Sequence, residues 1–488
     1  MTYRLLILWL LGYAAAWTLL SVQLDPTLPY DAVEALNWSL NAEWGSPKNP
    51  WLVGAAMRPA IWLPGMPLNV YWYAGHFAAI AVGMLGVWLL ARRLSGSRSL
   101  AWLALLTLNL SGIINFDIIP YNDNYLLVML WPWMLLFFHL AIERSANWWP
   151  AFAVAAGLAM MAKYSTFAFV YFIALSTLLV PQIRRCYRQP AFYLAVAIWL
   201  ALVLPNVVWL WQHDFAAFKW VGSQTRMQLN VGILRALLLV FYPLLALWWL
   251  LRRSGATLGW PGALPTRVLL WVCLLPLGLI AVWFSFHAGG RLTEWLQPFF
   301  IVAPALLVGC VRRPPSRSLR TATIALLCAA LAVYLGYAAV MLGNVRNAGQ
   351  KMVGVKAFSA AVEQRWRQRY GVDLRYVGGG YLSQWMTVYA ASRPQVIARW
   401  SNARKPNIYN ARLDDAQLAR HGVALFGRLG ETCAQSHFDD ALTQWPSLHI
   451  DWRQELTFQA DPQTPRQTLC VTFVRPNGVS GAHKKGPR

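Results

Sequence analysis

Apolar positions come in long unbroken runs, with polar residues confined to short loops between them. Runs of about 17 or more such residues are long enough to cross a bilayer as helices. They fall near 3–22, 68–91, 99–115, 124–142, 148–162, 165–181, 191–210, 232–251, 268–286, 296–311 and 321–343, which predicts about eleven transmembrane helices. The fifth and sixth share one apolar stretch broken at Lys163. After residue 343 the texture changes to short amphipathic pieces. Residues 351–370 read as an amphipathic helix, "DLRYVG", "QVIARW", "VALFGR" and "TLCVTFV" as strands, and "YLSQWMTVYAAS" and "TCAQSHFDDALTQW" as helices between them. The tail "GVSGAHKKGPR" reads as disordered. The fold class is therefore an α-helical polytopic membrane protein over residues 1–343, followed by an α/β domain over 344–488.

Composition agrees with this pattern: 58% of the residues are hydrophobic, 12% are charged, and the mean hydropathy is +0.41. A net charge of +23 invites a nucleic-acid reading, but the position of the bases argues against it. With the N-terminus inside, alternate loops hold fourteen: Arg92, Arg93, Arg98, Arg144, Arg184, Arg185, Arg188, Arg252, Arg253, Arg267, Arg312, Arg313, Arg317 and Arg320. The opposite loops hold only six: Lys48, Arg58, Lys163, Lys219, Arg226 and Arg291. Short basic loops resist translocation, so this asymmetry sets orientation and no nucleic-acid partner is implied. Eleven spans then put the C-terminal domain outside. The first apolar run starts like a cleavable signal but continues through Leu20, and it reads as an uncleaved first helix.

Acids do not orient membrane proteins, yet every acid before residue 344 except Glu143 falls on the outer side. Three outer regions concentrate chemistry. The first holds Asp31, Glu34, Glu43 and Lys48, with Asp31 and Glu34 three apart on one face of an amphipathic helix. The second, "NFDIIPYNDNY", brings Asp117 and Asp123. The third comprises residues 211–226 and 287–295, with His213, Asp214, Lys219, Arg226, His287, Arg291 and Glu294.

These groups suit transfer of a sugar from a phosphate carrier to a hydroxyl. The leaving phosphate needs no general acid, whereas one carboxylate must deprotonate the acceptor and a cation or metal must stabilise the departing charge. Trp38, Trp44, Trp51 and Trp62 could stack on a sugar face, although packing in an interfacial aromatic belt is the default reading for each. No HExxH helix, P-loop, CxxC pair or strand-linked GxGxxG is present. "VGGGYL" at 377–382 reads as a turn, with an anion cradle as the alternative. Cys433 and Cys470 are the only cysteine pair in the outer domain and form a disulfide if that compartment is oxidising.

Five stretches in order, "YDAVEALNWSLNAEWGSPKNPWL", "YNDNYLLVMLWPW", "GLAMMAKYSTF", "LPNVVWLWQHDF" and "RLTEWLQPFFIVAPAL", resemble bacterial membrane glycosyltransferases of the dolichyl-phosphate-mannose protein mannosyltransferase type. These have the GT-C fold of glycosyltransferase family 39 and include the aminoarabinose transferases. The resemblance covers roughly residues 1–340. It implies that Asp31 acts as base or metal ligand, with Glu34 and Asp117 assisting. Lys48, Arg58 and Arg291 would hold phosphate, and Asp123 and Lys163 are further substrate contacts. The family's Pro-Pro pair after the loop cation is here Asn49, Pro50 and Trp51, which departs from the pattern. The implied donor is a polyprenyl-phosphate sugar, the acceptor a lipid, glycan or protein, and a divalent metal ion an optional cofactor. Nucleotide sugars are made inside and a lipid carrier crosses, so an outward-facing site in a bacterial inner membrane leads to the same donor. A transporter or lipid-linked glycan flippase is the alternative, although such proteins place ionisable groups near the midplane and show repeat symmetry.

Overall fold

The structure is a computed structural model describing residues 3–41, 43–63, 65–117, 122–289, 292–343, 352–397, 415–436, 438, 445–462 and 464–478. Its first half runs α1 (Tyr3–Leu24), α2 (Tyr30–Asn41), α3 (Leu52–Trp62), α4 (Leu68–Ser95), α5 (Arg98–Leu108), a π-turn (Ile113–Asp117), α6 (Tyr125–Glu143), α7 (Trp149–Ala162) and α8 (Thr166–Leu179). Then come α9 (Pro181–Arg184), α10 (Pro190–Gln212), α11 (Ala216–Gln224), β1 (Arg226–Met227), α12 (Gly232–Arg253), β2 (Thr257–Leu258), α13 (Leu264–Ser285), β3 (His287–Ala288), α14 (Leu292–Phe300), α15 (Ala303–Gly309), β4 (Val311–Arg313) and α16 (Arg320–Gly343).

All eleven apolar runs are helical, but the expected count of eleven spans is not reached. Among the described residues seven helices are long and apolar enough to cross a membrane, or up to nine if each bent pair counts as one span. The physical reason is length. An eleven-residue helix such as α5 rises only about 16 Å against a hydrocarbon core of about 30 Å. Prolines break two other runs: α8 turns by 90° into α9 at Pro181, and α14 meets α15 at 44° beside Pro304.

The bundle has two chemically distinct ends. At one, Arg93 Nε donates to Glu143 Oε2 at 2.7 Å, Arg92 contacts Tyr3 Oη, and the ribbon of β2 with β4 joins Thr257 to Arg313. At the other lie α2, α3 and the ribbon of β1 with β3, together with a second unit that packs on α2.

That second unit contains α17 (Val355–Tyr370), β5 (Tyr376–Gly379), α18 (Ser383–Tyr389), β6 (Gln395–Ile397), α19 (Asp415–His421), β7 (Val423–Phe426), β8 (Ile450–Phe458) and β9 (Gln467–Val474). Its sheet has the order β6-β5-β7-β9-β8, with β5 parallel to β6 and β7 and the remaining pairs antiparallel. Trp366 and Phe358 of α17 close the core against Phe473, Phe426 and Phe458. The described part of the expected helix at 432–445 is a turn over residues 433–435 instead, held by the disulfide Cys433–Cys470. Strand β8 was not expected, because "IDWRQELTF" alternates too many polar residues to read as buried.

Candidate functional site

Helix α2 begins just after Pro29, and its first turn carries Asp31, whose charge suits a helix N-terminus. Glu34 lies one turn later on the same face. The chain then folds back through a turn closed by Ser46, whose N–H and Oγ both donate to Asn49 O, at 2.9 and 2.7 Å. Gly45 is required there: a Cβ would sit 2.4 Å from the Trp209 ring of α10. The turn aims Lys48 back at α2. Its Nζ donates to Asp31 Oδ1 at 2.7 Å and to Glu34 Oε2 at 3.2 Å, and it lies 5.5 Å from the Trp220 ring centroid. All three charged side chains are more than nine-tenths buried.

Asn49 links this loop to distant elements, because its Nδ2 donates to Asp123 Oδ2. Asp123 is fully buried, and its Oδ1 pairs with Lys163 Nζ at 2.7 Å. Lys163 caps the C-terminus of α7, where a cation meets the negative end of the helix, and also donates to Asn124 Oδ1 at 2.6 Å. Asn124 Nδ2 in turn donates to Glu294 O at 2.9 Å. Thus three carboxylates, Asp31, Glu34 and Asp123, are interleaved with two ammonium groups, Lys48 and Lys163. Lys163 is the more accessible of the two cations, at 23% exposure against 6% for Lys48.

Burial pushes the Glu34 carboxyl above the usual carboxylate range; the Lys48 charge and hydrogen bond oppose this and the Asp31 charge reinforces it. Tyr381, from the second unit, is pushed up to about 12, first by burial and then by the charges of Glu34 and Asp31.

The remaining expected residues fall elsewhere. Arg58 is exposed on α3, with its guanidinium 5.9 Å from the Trp62 ring, at the edge of a cavity of about 320 Å³ lined also by Trp38, Ser39, Trp44 and Trp51. Trp44 borders a second groove of about 510 Å³ along the outward surface of α10. Arg291 lies outside the described residues, and so does the side chain of Asp117, which ends the π-turn. His213 and His287 each stack on a tryptophan one turn back, Trp209 at 4.1 Å and Trp283 at 3.8 Å. Among the described residues no three His, Cys, Asp or Glu side chains group as a metal site. Between Asp31 and Glu34 the Lys48 ammonium is the cation that bridges the two carboxylates. His76 and His139, each within an apolar helix, are both buried; the His76 nitrogens find no hydrogen-bond partner among the described residues and its ring packs on Trp72, Phe77 and Tyr125, while His139 Nδ1 lies 3.3 Å from Glu143 Oε2.

Sequence reasoning missed Asn49 and Asn124, which lock the network. The signal for both was adjacency to a charged candidate.

The family model described as dolichyl-phosphate-mannose-protein mannosyltransferase matches residues 69–209, a stretch that includes Asp123 and Lys163. ArnT from Cupriavidus metallidurans bound to undecaprenyl phosphate superimposes with a TM-score of 0.63 at 14% identity, covering 100% of both chains. The chain has the GT-C fold. Apo ArnT gives a TM-score of 0.55 at 15% identity over 95% of this chain and 97% of that one. A curated relative, the lipid A galacturonosyltransferase RgtD of Rhizobium johnstonii, is 27% identical over 204 residues. That alignment spans 41% of this GT-C chain and 42% of the relative.

Proposed function

We propose that the chain is a membrane glycosyltransferase that moves a sugar from a polyprenyl-phosphate carrier to an acceptor hydroxyl, with inversion. The site faces the periplasm of a bacterial inner membrane, the membrane domain spans 1–343, and the domain of 344–488 lies outside with it. The observation that carries this reading is the buried Lys48 ammonium shared by Asp31 and Glu34, in a loop tied through Asn49 to Asp123 and Lys163.

The reading works as a competition. In the resting site Lys48 neutralises Asp31. An incoming donor phosphate takes over the Lys48 ammonium, which leaves the Asp31 carboxylate free to accept the acceptor's hydroxyl proton. The acceptor oxygen attacks the anomeric carbon from the face opposite the phosphate, and the carbon–oxygen bond to phosphate breaks with its electron pair going to the phosphate. Lys48, which is more than nine-tenths buried, stabilises the added charge, with the more accessible Lys163 behind it. This uses a side-chain cation where a metal ion would otherwise serve, and no step needs an ion. The match to a lipid A galacturonosyltransferase and to an undecaprenyl-phosphate-bound neighbour supports a lipid-carried donor. The sugar and the acceptor, whether lipid, glycan or protein, stay open in this reading.

The test is release of polyprenyl phosphate in membrane vesicles carrying the protein. Asp31→Asn, which keeps shape and insertion, should slow release by about 10²–10⁴-fold, the usual worth of a general base. Near-normal release by that variant would refute the assignment, and a flippase would release no carrier phosphate at all.

A further inference from the structure

The glycine run at 378–380 leads from β5 into the expected turn, at Tyr381–Leu382, and it does more than turn the chain. A Cβ at Gly379 would stand 2.5 Å from Phe426 O, and one at Gly380 would stand 2.2 Å from Gly427 O, while Gly379 has φ +89°. Only glycine allows the chain to leave β5 this close to β7. Immediately beyond the run, Tyr381 and α18 land on α2. Tyr381 stacks on Tyr30 with ring centroids 4.6 Å apart. Gln384 Oε1 accepts from Asn37 Nδ2 at 2.7 Å, and Trp385 Nε1 donates to Leu28 O at 2.9 Å. Tyr389 Oη accepts from Leu28 N at 3.0 Å. These contacts bracket Asp31 and Glu34 on both sides along the chain.

We propose that the C-terminal α/β unit is a positioning element of the reacting site, with Tyr381, Gln384 and Trp385 fixing the direction in which α2 presents Asp31 and Glu34. The argument is one of leverage. Helix α2 has twelve residues, near the length at which an isolated helix is marginal in water, and it must hold two carboxylates against a buried cation. Its orientation is therefore set by its neighbours. Helix α3 packs against it, and α18 supplies side-chain hydrogen bonds to both the segment entering the helix, at Leu28, and its middle, at Asn37. Gln384 and Trp385 are buried, so these bonds are shielded from competing water. Tyr381 is 43% exposed and so forms a wall of the site that also faces solvent.

This inference rests on the proposed roles of Asp31 and Glu34, and its test separates the two. Full-length protein in nanodiscs is compared as wild type, Gln384→Leu, Gln384→Glu, Trp385→Phe, Asn37→Ala and the Asn37→Ala/Gln384→Leu double variant. Three quantities are read: backbone hydrogen exchange over 30–41, binding of undecaprenyl phosphate, and release of polyprenyl phosphate in vesicles. Gln384→Leu and Trp385→Phe should raise exchange in α2 by about tenfold and leave α4 unchanged. They should slow release by about ten- to a hundredfold, the cost of an ångström-scale misplacement, with undecaprenyl phosphate affinity kept within about twofold. Gln384→Glu, which keeps the accepting oxygen, should retain most of the rate. The double variant should fall no further than Asn37→Ala alone, because that substitution already removes the bond lost in Gln384→Leu, together with the one Asn37 Nδ2 donates to Gln384 O. Unchanged release alongside loosened α2 overturns the proposal, as does a loss of release that merely tracks loss of folded protein. If Asp31→Asn retains its rate, the reading of the site fails while the exchange arm still reports whether α18 holds α2.

Discussion

Three side chains carry the proposed chemistry, and their energetics set clear expectations. Lys48 is buried between two carboxylates, so deleting its charge leaves Asp31 and Glu34 facing each other without their shared cation. Breaking a buried pair in this way costs about 3–5 kcal/mol, and Lys48→Met should lower the melting temperature in detergent accordingly. The pH dependence arises from Glu34, whose folded pKa is raised by burial. A raised carboxyl favours folding in its protonated form, so its contribution is complete below the ordinary carboxylate pKa and is lost as pH rises through the folded value. Lys48→Met removes the cation that restrains this shift. The variant's melting temperature should therefore fall more steeply than the wild type's as pH rises above the ordinary carboxylate range. Asp31, Glu34 and Lys48 were legible in the sequence because helical spacing and one short loop bring them together. Asp123 and Lys163 were named as candidates, but their partners could not be read: Asn49 lies 74 positions from Asp123, a closure only tertiary packing makes. Arg58 looked equivalent to Lys48 by charge, yet α3 turns it toward the tryptophan-lined cavity.

At the scale of elements, the loop of residues 45–50 works because α10 lets it lie flat. Gly45→Val would drive a side chain into Trp209, so it should disorder the Lys48 turn and reduce transfer to the level of Lys48→Met while insertion stays normal; transfer within twofold of wild type would contradict this. The hydrophobic pattern located the apolar helices well, since residue type alone sets that signal. Their number is not confirmed, because an apolar run says nothing of bends at Pro181 or beside Pro304, nor that α5 stops at Leu108. In the second unit, strands at 376–379, 395–397, 423–426 and 467–474 were legible from their apolar texture. Strand β8 was not, for it forms the sheet edge and carries Arg453, Gln454 and Glu455 toward solvent.

The whole molecule joins a bundle to an α/β unit through the site itself. Cys433 and Cys470 tie the unit internally, with Cα atoms 4.7 Å apart across 37 positions. Closing a loop of that size contributes about 2–4 kcal/mol. The double Cys433→Ser/Cys470→Ser variant should therefore lower the melting temperature of the C-terminal unit and, through α18, loosen α2; an unchanged melting curve would show the bridge to be dispensable. Glu143 pairs with Arg93 at the basic end, while Asp31, Glu34 and Asp123 gather at the other. That separation is what the charge asymmetry along the sequence anticipated.

The competition for Lys48 is central to the proposed chemistry, and binding of undecaprenyl phosphate to the purified full-length protein reads it directly. Lys48→Met should weaken binding by about tenfold or more, whereas Asp31→Asn should tighten it, because the phosphate no longer has to displace a carboxylate and meets one negative charge fewer. Weaker binding by Asp31→Asn, or binding indifferent to Lys48, would contradict it.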